Sequence, residues 1–322
     1  MTISVSSTLT ISQNLTIGST VHSVAVDGGN SVGVFQIKSG AIVYMINLTV
    51  QNGHYYGYPG FQGGGGGIEN EGGVVLFNST VAGNHSTAAL GAGIFNSTQG
   101  TVSLINSTVS GNTVAAINAN NGGGIENQGT LTAINSTISN NTASLVGGGI
   151  HNAGSMVLTN TTVSGNYAAA GLGLFTNQGS AQLANTIVAD GCYGTFGDAG
   201  GNLDSGTTCG FTAPSSKSNA VLNLLPLANN GGPTQTVMPG PGSMAIDAGL
   251  DWVCTSAPGN MVDQRGIPRP QGAHCDSGAV EVAIAAPPVA AQTLDRWAMM
   301  LLGCLLGGAG VLRRLRRVNC GI

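Results

Sequence analysis

Five glycine-rich phrases recur in the middle of the chain, and each sets one side chain in an equivalent position. The phrases are Gly-Gly-Gly-Ile at 65–68, 122–125 and 147–150, Gly-Ala-Gly-Ile at 91–94 and Gly-Leu-Gly-Leu at 171–174. The residues that follow them are Glu69, Phe95, Glu126, His151 and Phe175. Because the aliphatic residue before each of them should face a core, we expect these five side chains to point outward in one column.

This column carries groups that could do acid–base chemistry. If its members belong to successive rungs of a stacked sheet, Glu126 and His151 lie ~5 Å apart and Glu69 and Glu126 lie ~10 Å apart. The second spacing is near the ~6.5–9.5 Å that separates the two carboxyl groups of inverting glycosidases. The candidate catalytic residues are therefore Glu69, Glu126 and His151.

Two other interpretations of the column remain open. It could bind a saccharide, with aromatic rings as stacking surfaces. The candidate ligand-binding residues are Phe95, Phe175, Tyr55, Tyr56 and Tyr58. It could also be a solvated face on which varied residues are tolerated, and this is the interpretation that we favour.

Charged residues are scarce, which limits the chemistry available. They make up 7% of the chain, against ~25% in an average protein. Between residues 28 and 189 the charged side chains are Lys38, Glu69, Glu71 and Glu126, so the arginine base and the clustered aspartates of polysaccharide-cleaving enzymes are missing. No basic stripe precedes the C-terminal tail, which argues against a nucleic-acid partner. We expect no cofactor and no metal, and we favour a protein that is not an enzyme.

The glycine phrases belong to a repeat of about 25 residues. Each unit continues with an asparagine, a small-residue turn, a short alternation of apolar and polar residues, and a phrase such as Asn-Ser-Thr. Val102 and Leu104, for example, alternate with Ser103, which is strand patterning. A unit of this length cannot bury its own apolar face, so neighbouring units must stack. The sequence therefore predicts an all-β fold, a parallel β-helix.

The recurrent asparagines have two interpretations. In a β-helix they would stack at the bends and hydrogen-bond from coil to coil, as asparagine ladders do in stacked sheets. The predicted ladders contain Asn70, Asn96, Asn127 and Asn152, and Asn78, Asn106, Asn135, Asn160 and Asn185. The Asn-Ser-Thr phrases also match N-glycosylation acceptors. We favour the ladder.

Cysteines point to an oxidising compartment. Cys192 with Cys209 and Cys254 with Cys275 would each close a short loop in an irregular region, and two such bridges are typical of exported proteins. Cys304 and Cys320 are expected to be free. The first residues, however, have neither the basic region nor the apolar core of a signal peptide. We interpret this as a truncated start.

The segment after the repeats resembles a known family. The matching stretches are Asn230–Thr234, Ala245–Gly249, Asp263–Gly266, Arg269–Pro270 and Cys275–Asp276. They are similar to the C-terminal signature of bacterial choice-of-anchor Q domain proteins. That resemblance implies a right-handed parallel β-helix of the pectin-lyase-like type.

We expect this segment to be a C-terminal cap that covers the strand edges of the last coil. Buried ion pairs would hold it together, formed among Asp247, Asp263, Arg265, Arg269 and Asp276. A carboxylate site for catalysis is the competing interpretation of the same residues.

The tail resembles another bacterial element, the IPTL-type C-terminal sorting tag. It begins with Thr293 and Leu294, continues with Trp297 and an apolar run to Leu312, and ends in Arg313, Arg314, Arg316 and Arg317. An apolar run of this kind predicts one transmembrane helix with the arginines in the cytoplasm, and a buried amphipathic helix is the alternative. The resemblance implies processing by an exosortase-like membrane enzyme.

These observations predict four regions. Residues 1–190 form the β-helix repeats, 191–282 the last coil and disulfide-braced cap, 283–292 an Ala/Pro linker, and 293–317 the sorting tag. We expect a non-catalytic β-helix protein of a Gram-negative cell surface or secretome, anchored in the membrane at least transiently. Its role would be adhesive or structural, with an extracellular polysaccharide or a cell surface as partner. The alternative is a polysaccharide-active enzyme or carbohydrate-binding protein that uses the Glu69, Glu126 and His151 face.

Overall fold

A computed structural model describes residues 1–19, 24–57, 64–87, 90–115, 122–256 and 261–283. The chain divides into Met1–Ala283 and Ile284–Ile322, and all described residues belong to the first unit. That unit is a parallel β-solenoid of the right-handed type. The predicted linker from 284 onward and the sorting tag, with Thr293, Leu294, Trp297 and its arginines, lie outside the described residues.

The strands are short and follow one another around the coils. In the first four coils they are β1 (Thr2–Ser4), β2 (Leu9–Ile11), β3 (Leu15–Gly18), β4 (Val24–Asp27), β5 (Phe35–Ile37), β6 (Ile42–Ile46), β7 (Leu48–Gln51), β8 (His54–Tyr55), β9 (Ile68–Asn70), β10 (Gly73–Phe77), β11 (Thr80–Ala82), β12 (His85–Ser86), β13 (Ile94–Asn96) and β14 (Thr101–Ile105). In the later coils they are β15 (Thr108–Ser110), β16 (Thr113–Val114), β17 (Ile125–Asn127), β18 (Thr130–Ile134), β19 (Thr137–Ser139), β20 (Thr142–Ala143), β21 (Ile150–Asn152), β22 (Ser155–Thr159), β23 (Thr162–Ser164), β24 (Leu174–Thr176), β25 (Ser180–Ala184), β26 (Ile187–Val188), β27 (Cys192–Tyr193), β28 (Gly197–Asp198) and β29 (Leu203–Asp204).

Successive coils pair in parallel and form three long sheets. Sheet A has nine strands, in the order β1-β4-β7-β11-β15-β19-β23-β26-β29. Sheet B has eight, β2-β5-β9-β13-β17-β21-β24-β27, and sheet C has eight, β3-β6-β10-β14-β18-β22-β25-β28. Four coils add a two-residue strand, and these form sheet D, β8-β12-β16-β20. Strand pairing therefore continues past residue 190, to Asp204.

Alternation along each strand builds one core through the whole stack. Val102 and Leu104 of β14 are fully buried, whereas Thr101 of the same strand faces solvent. Their equivalents in the next coil, Leu131 and Ala133, are also fully buried. Each coil thus adds one layer of aliphatic side chains, which neighbouring coils keep from water.

A ladder of asparagine side chains lines the bend between sheets B and C. Nδ2 of Asn70 donates to Oδ1 of Asn96 at 2.8 Å, Asn96 to Asn127 at 2.7 Å, and Asn127 to Asn152 at 2.7 Å. All four side chains are fully buried. Their amide groups would be costly to bury without these partners.

The asparagines of the second predicted ladder do not stack side chain on side chain but turn the backbone. These five asparagines adopt left-handed backbone conformations with φ between 47° and 52°: Asn78, Asn106, Asn135, Asn160 and Asn185. They turn the chain sharply from sheet C into sheet A, a conformation that asparagine tolerates better than most residues. The second side-chain ladder lies six residues further on, at Asn84, Asn112, Asn141 and Asn166, with each Nδ2 donating to the next Oδ1 at 2.9 Å. Asp190 ends this ladder, accepting from Asn166 at 2.8 Å.

Both predicted disulfides are present, Cys192–Cys209 and Cys254–Cys275. The first lies beside the last strands, where Cys209 joins the core and Phe211 packs against it. There the buried carboxylate of Asp204 accepts hydrogen bonds from the N–H groups of Gly206 and Cys209, both at 2.9 Å. This loop adds apolar contacts to the core beside β29.

Residues 220–256 and 261–283 do not simply cover the end of the stack, as we expected of a cap. They pack along its side, on the outward column of sheet A formed by Thr108, Thr137, Thr162, Ile187 and Leu203. Gln264 is fully buried there: its Nε2 donates to Oγ1 of Thr108 at 2.8 Å, and its Oε1 accepts from Oγ1 of Thr137 at 2.6 Å. Further along, Ala279 N donates to Thr162 Oγ1 at 2.9 Å.

The polar network of this segment differs in part from the predicted ion pairs. Arg265 contacts Asp263 at 2.7 Å, but the carboxylate nearest to the buried Arg269 is Glu281, at 3.6 Å. Arg269 also donates to the carbonyl oxygens of Asp276 and Gly278 at 2.8 and 2.7 Å. The Asp247 carboxylate accepts a hydrogen bond from the backbone N–H of His274. The Asp276 carboxylate accepts from the backbone N–H groups of Asp247 and Val282. The segment includes the helix α1 (Asp251–Thr255), and no described helix is long and apolar enough to span a membrane.

Candidate functional site

The residues that follow the glycine phrases lie in register on sheet B. Strand pairing joins the outward positions of seven successive coils, and we call them the sheet B column. Its members are Gln36, Glu69, Phe95, Glu126, His151, Phe175 and Tyr193. Neighbouring strands of a sheet are ~4.8 Å apart, so each side chain can reach only the members directly above and below it.

The centre of the sheet B column is sealed from solvent, which contradicts the solvated face that we favoured. Phe95, Glu126 and His151 are 5%, 1% and 4% exposed. The backbone of the glycine phrases lies against the column. A Cβ on Gly91, in the coil before Glu126, would be 3.0 Å from Cβ of Glu126. A Cβ on Gly171, in the same coil as Phe175, would be 2.8 Å from the Phe175 ring. The glycines are needed because the chain crosses the column so closely.

Glu126 and His151 form a buried pair. Nδ1 of His151 lies 2.8 Å from Oε2 of Glu126. Burial raises the pKa of Glu126, and its hydrogen bond with His151 offsets part of that rise. The other ring nitrogen of His151, Nε2, is buried without a hydrogen-bond partner, and the ring is 5.3 Å from that of Phe175. The pair can share a proton, but it has no open side on which a substrate could lie.

Glu69 is separated from this pair. Phe95 occupies the rung between Glu69 and Glu126, so the two carboxylates do not face a common space. Glu69 instead accepts a hydrogen bond from Nε2 of Gln36 at 3.2 Å, and burial raises its pKa. The two-carboxylate arrangement of an inverting glycosidase, in which both groups reach one sugar and one water, is therefore not formed by these residues.

The aromatic candidates do not form one surface. Phe175 is half-buried and stacks on Tyr193, with ring centroids 4.7 Å apart, and Tyr193 is 56% exposed. Tyr55 is half-buried in β8, and Tyr56 is 59% exposed and stacks on His54 at 3.9 Å. Tyr56 and Tyr193 lie five coils apart, ~24 Å along the stack. Tyr58 lies outside the described residues.

One cluster of metal-ligand atoms occurs among the described residues, and it does not suit a metal. The atoms belong to Asp251, Cys254 and Cys275 and lie within 4.8 Å of one another. Cys254 and Cys275 are joined in a disulfide, so neither sulfur is available as a thiolate ligand. The Asp251 carboxylate accepts instead from Cys275 N, and it lies 2.9 Å from Nδ1 of His274.

No protein-family model matches the chain, and neither a curated protein nor a solved structure matches it. The fold that the resemblance implies, a parallel β-helix, is the fold of the described residues. The resemblances to the choice-of-anchor Q family and to the sorting tag rest on the sequence motifs alone. What the structure establishes is a disulfide-braced parallel β-solenoid whose acid–base pair is enclosed.

Proposed function

We propose that this protein is a non-catalytic β-helix displayed at, or released from, a bacterial cell surface, where its role is adhesive or structural. The observation that carries the proposal is the burial of Glu126 and His151, which are 1% and 4% exposed. General acid–base catalysis requires the catalytic group within hydrogen-bond reach of the substrate. A polysaccharide cannot approach a pair that the glycine phrases enclose.

Export and sorting form the second part of the proposal. The C-terminal motifs support membership of the choice-of-anchor Q proteins, and the tail supports an IPTL-type tag with a transmembrane helix. The two disulfides agree with an oxidising compartment. On this proposal the chain crosses the inner membrane of a Gram-negative cell, is held by its tail, and is processed by an exosortase-like enzyme.

A degradation screen tests the non-catalytic role. The oxidised full chain, purified in mild detergent because of the apolar run after Trp297, is incubated with neutral and acidic polysaccharides. Glu126→Gln is compared as the matched variant. We expect no new reducing or unsaturated ends with either protein. Cleavage by the natural chain that the variant lacks would instead establish the alternative, a polysaccharide-active enzyme that uses Glu126 and His151.

A processing experiment tests the sorting proposal separately. The chain, fused to a secretory signal, is expressed in paired Gram-negative strains with and without an exosortase-type enzyme. We expect a product that has lost its tail only in the strain with the enzyme. We also expect that loss to disappear when the four arginines after Leu312 are replaced by alanine. Identical masses in both strains would contradict the assigned sorting role.

A further inference from the structure

The three outward faces of the solenoid differ in what they leave accessible. Sheet A is overlaid by residues from 220–256 and 261–283, Gln264 among them, and the centre of the sheet B column is sealed. Sheet C keeps exposed side chains along most of its length, including Ile42, Tyr44 and Phe77, which are 45%, 47% and 39% exposed. A concentration of exposed apolar side chains of this kind is typical of a binding surface.

An open groove of about 400 Å³ lies on this face. Its floor is Gly73, which lies in register between Ile42 and Thr101 and has no side chain to fill the gap. Ser39, Gln99 and Ser103 contribute polar groups to its lining. A smaller depression of about 230 Å³ adjoins it across Ile42 and includes Tyr44 and Thr16. The volume is within the range of small-molecule binding sites, ~300–1,000 Å³.

The groove carries no free charge. The outward and inward residues of β3, β6, β10, β14, β18, β22 and β25 include no charged side chain. The one carboxylate in the groove lining, Glu71, is held by Nζ of Lys38 at 3.1 Å. A charged ligand would lose its hydration without gaining an opposite charge, so the electrostatics favour an uncharged one.

The mixture of polar and apolar groups in the lining further limits the class of ligand that the groove can bind. Hydroxyl and amide groups alternate with the aliphatic side chains of Ile42 and Val75 and with the ring of Tyr44. A peptide cannot add to this surface as a further strand, because β6, β10 and β14 are paired on both edges. A pyranose ring offers an apolar face and a rim of hydroxyl groups, which matches the mixed lining.

We propose that this groove, which we call the sheet C groove, binds a neutral oligosaccharide that runs along the stack from Tyr44 towards Ser103. This inference rests on the proposed non-catalytic surface role, and it names a ligand class and a site that lie away from the sheet B column. The sugar stacks on Tyr44 and Ile42 and hydrogen-bonds with Gln99 and the hydroxyl groups around Gly73.

Calorimetric titration of the oxidised full chain tests the groove. The neutral probes are hexasaccharides of β-1,4-glucose, β-1,3-glucose, α-1,4-glucose and β-1,4-mannose, and the charged probe is a hexamer of galacturonate. We expect at least one neutral probe to bind, and the galacturonate hexamer to bind at least tenfold more weakly. Binding of none of the neutral probes, or equal binding of the charged one, would overturn the proposal.

Two variants locate the site. Gly73→Val fills the floor, and the nearest atom to a Cβ there is in the Ile42 side chain, at an ordinary contact distance of 3.4 Å, so the fold has room for it. We expect at least a tenfold loss of affinity with an unchanged midpoint of thermal unfolding. Thr130→Val, in the same outward row but outside the groove lining, should bind as the natural chain does. Undiminished binding by Gly73→Val at an unchanged midpoint would overturn the assignment to this groove.

The two proposals fail separately in these experiments. If no sugar binds in the sheet C groove, the expected result of the degradation screen is unchanged, because the screen depends on Glu126 and not on Gly73. Cleavage in that screen would overturn the non-catalytic role, while the titration would still report whether a neutral sugar lies on sheet C.

Discussion

The outward faces of sheets A and C have closely similar sequences and opposite surroundings. Sheet A presents Thr108 and Thr137, and sheet C presents Thr101 and Thr130, in each case one threonine per coil. Thr108 and Thr137 are 1% and 0% exposed, whereas Thr101 and Thr130 face solvent. The difference comes from residues more than 100 positions away, which lie on sheet A only. Strand sequence thus decides which side chains enter the core, but not whether the other side meets water.

The segment that covers sheet A supplies hydrogen-bond partners for the threonine hydroxyl groups that it buries. A buried hydroxyl group is costly unless it is hydrogen-bonded, and the partners here are Gln264 and the backbone of Gln235 and Ala279. On sheet C water supplies the partners of the equivalent hydroxyl groups. The same residue type is therefore a structural contact on one sheet and a free surface group on the other. We draw three predictions from this difference between the two sheets.

The first prediction is that Arg269→Met releases the cover of sheet A. Arg269 is 2% exposed, and its loss leaves the buried Glu281 carboxylate without its cationic partner and two carbonyl oxygens without their donor. We expect the local stability of residues 261–283 to fall by about 3–5 kcal/mol. Hydrogen exchange followed by mass spectrometry measures this.

Lys217→Met, at an exposed position, is the control and should leave that protection unchanged. Sheet C should also keep its protection in Arg269→Met. If sheet C loses protection as much as residues 261–283 do, the cover is not a separate unit and the comparison fails.

The second prediction uses a matched pair, Thr137→Val on the covered face and Thr130→Val on the open one. Thr137→Val leaves Oε1 of Gln264 buried without its donor, which should cost about 1–3 kcal/mol. Thr130→Val should change the free energy of unfolding by no more than about 0.5 kcal/mol, because the residue is exposed and its loss leaves no buried polar group without a partner. Urea unfolding of the disulfide-intact chain compares them. Equal costs would mean that the two faces are not differently buried.

The third prediction concerns pH. Burial raises the pKa of Asp276 from 3.8 to about 6. Between these values the native state holds a proton that the unfolded chain has lost, so the free energy of unfolding falls as pH rises from about 4 to 6. The fall is at most about 3 kcal/mol, at about 1.4 kcal/mol for each pKa unit.

Asp276→Asn removes this titration while Glu281 and Arg269 remain. The variant should therefore lose less stability than the natural chain between pH 4 and pH 7 in urea unfolding. The opposite order would show that the Asp276 carboxyl group is stabilised in its ionised form.

Much of the fold followed from local chemistry. Val102 and Leu104 alternate with polar residues, and the glycine phrases and asparagines recur with the coil, so the parallel β-helix, one ladder and both disulfides could be predicted. The second ladder was also within reach, because Asn84, Asn112 and Asn141 follow each Asn-Ser-Thr phrase at a constant distance. It was missed because the asparagine of the phrase itself looked like the stacked residue.

The environment of the candidate site could not be predicted in the same way. Whether Glu126 meets solvent depends on how closely the backbone at Gly91 crosses it, which is a tertiary property. The partner of Arg269 is a further example, since Glu281 lies outside the run of motif aspartates. One signal was available: the first glycine of each phrase has no role in the core, and such a glycine indicates a close backbone approach.

The Glu126 and His151 pair is enclosed in the sheet B column and lies out of reach of a substrate. Histidine modification by diethylpyrocarbonate, followed by peptide mass spectrometry, tests this most directly, with His274 as the internal reference because its side chain is 61% exposed. We predict that His274 reacts readily in the folded chain, whereas His151 reacts only after unfolding. Modification of His151 at a rate comparable with that of His274 would contradict the sealed column and restore the catalytic alternative.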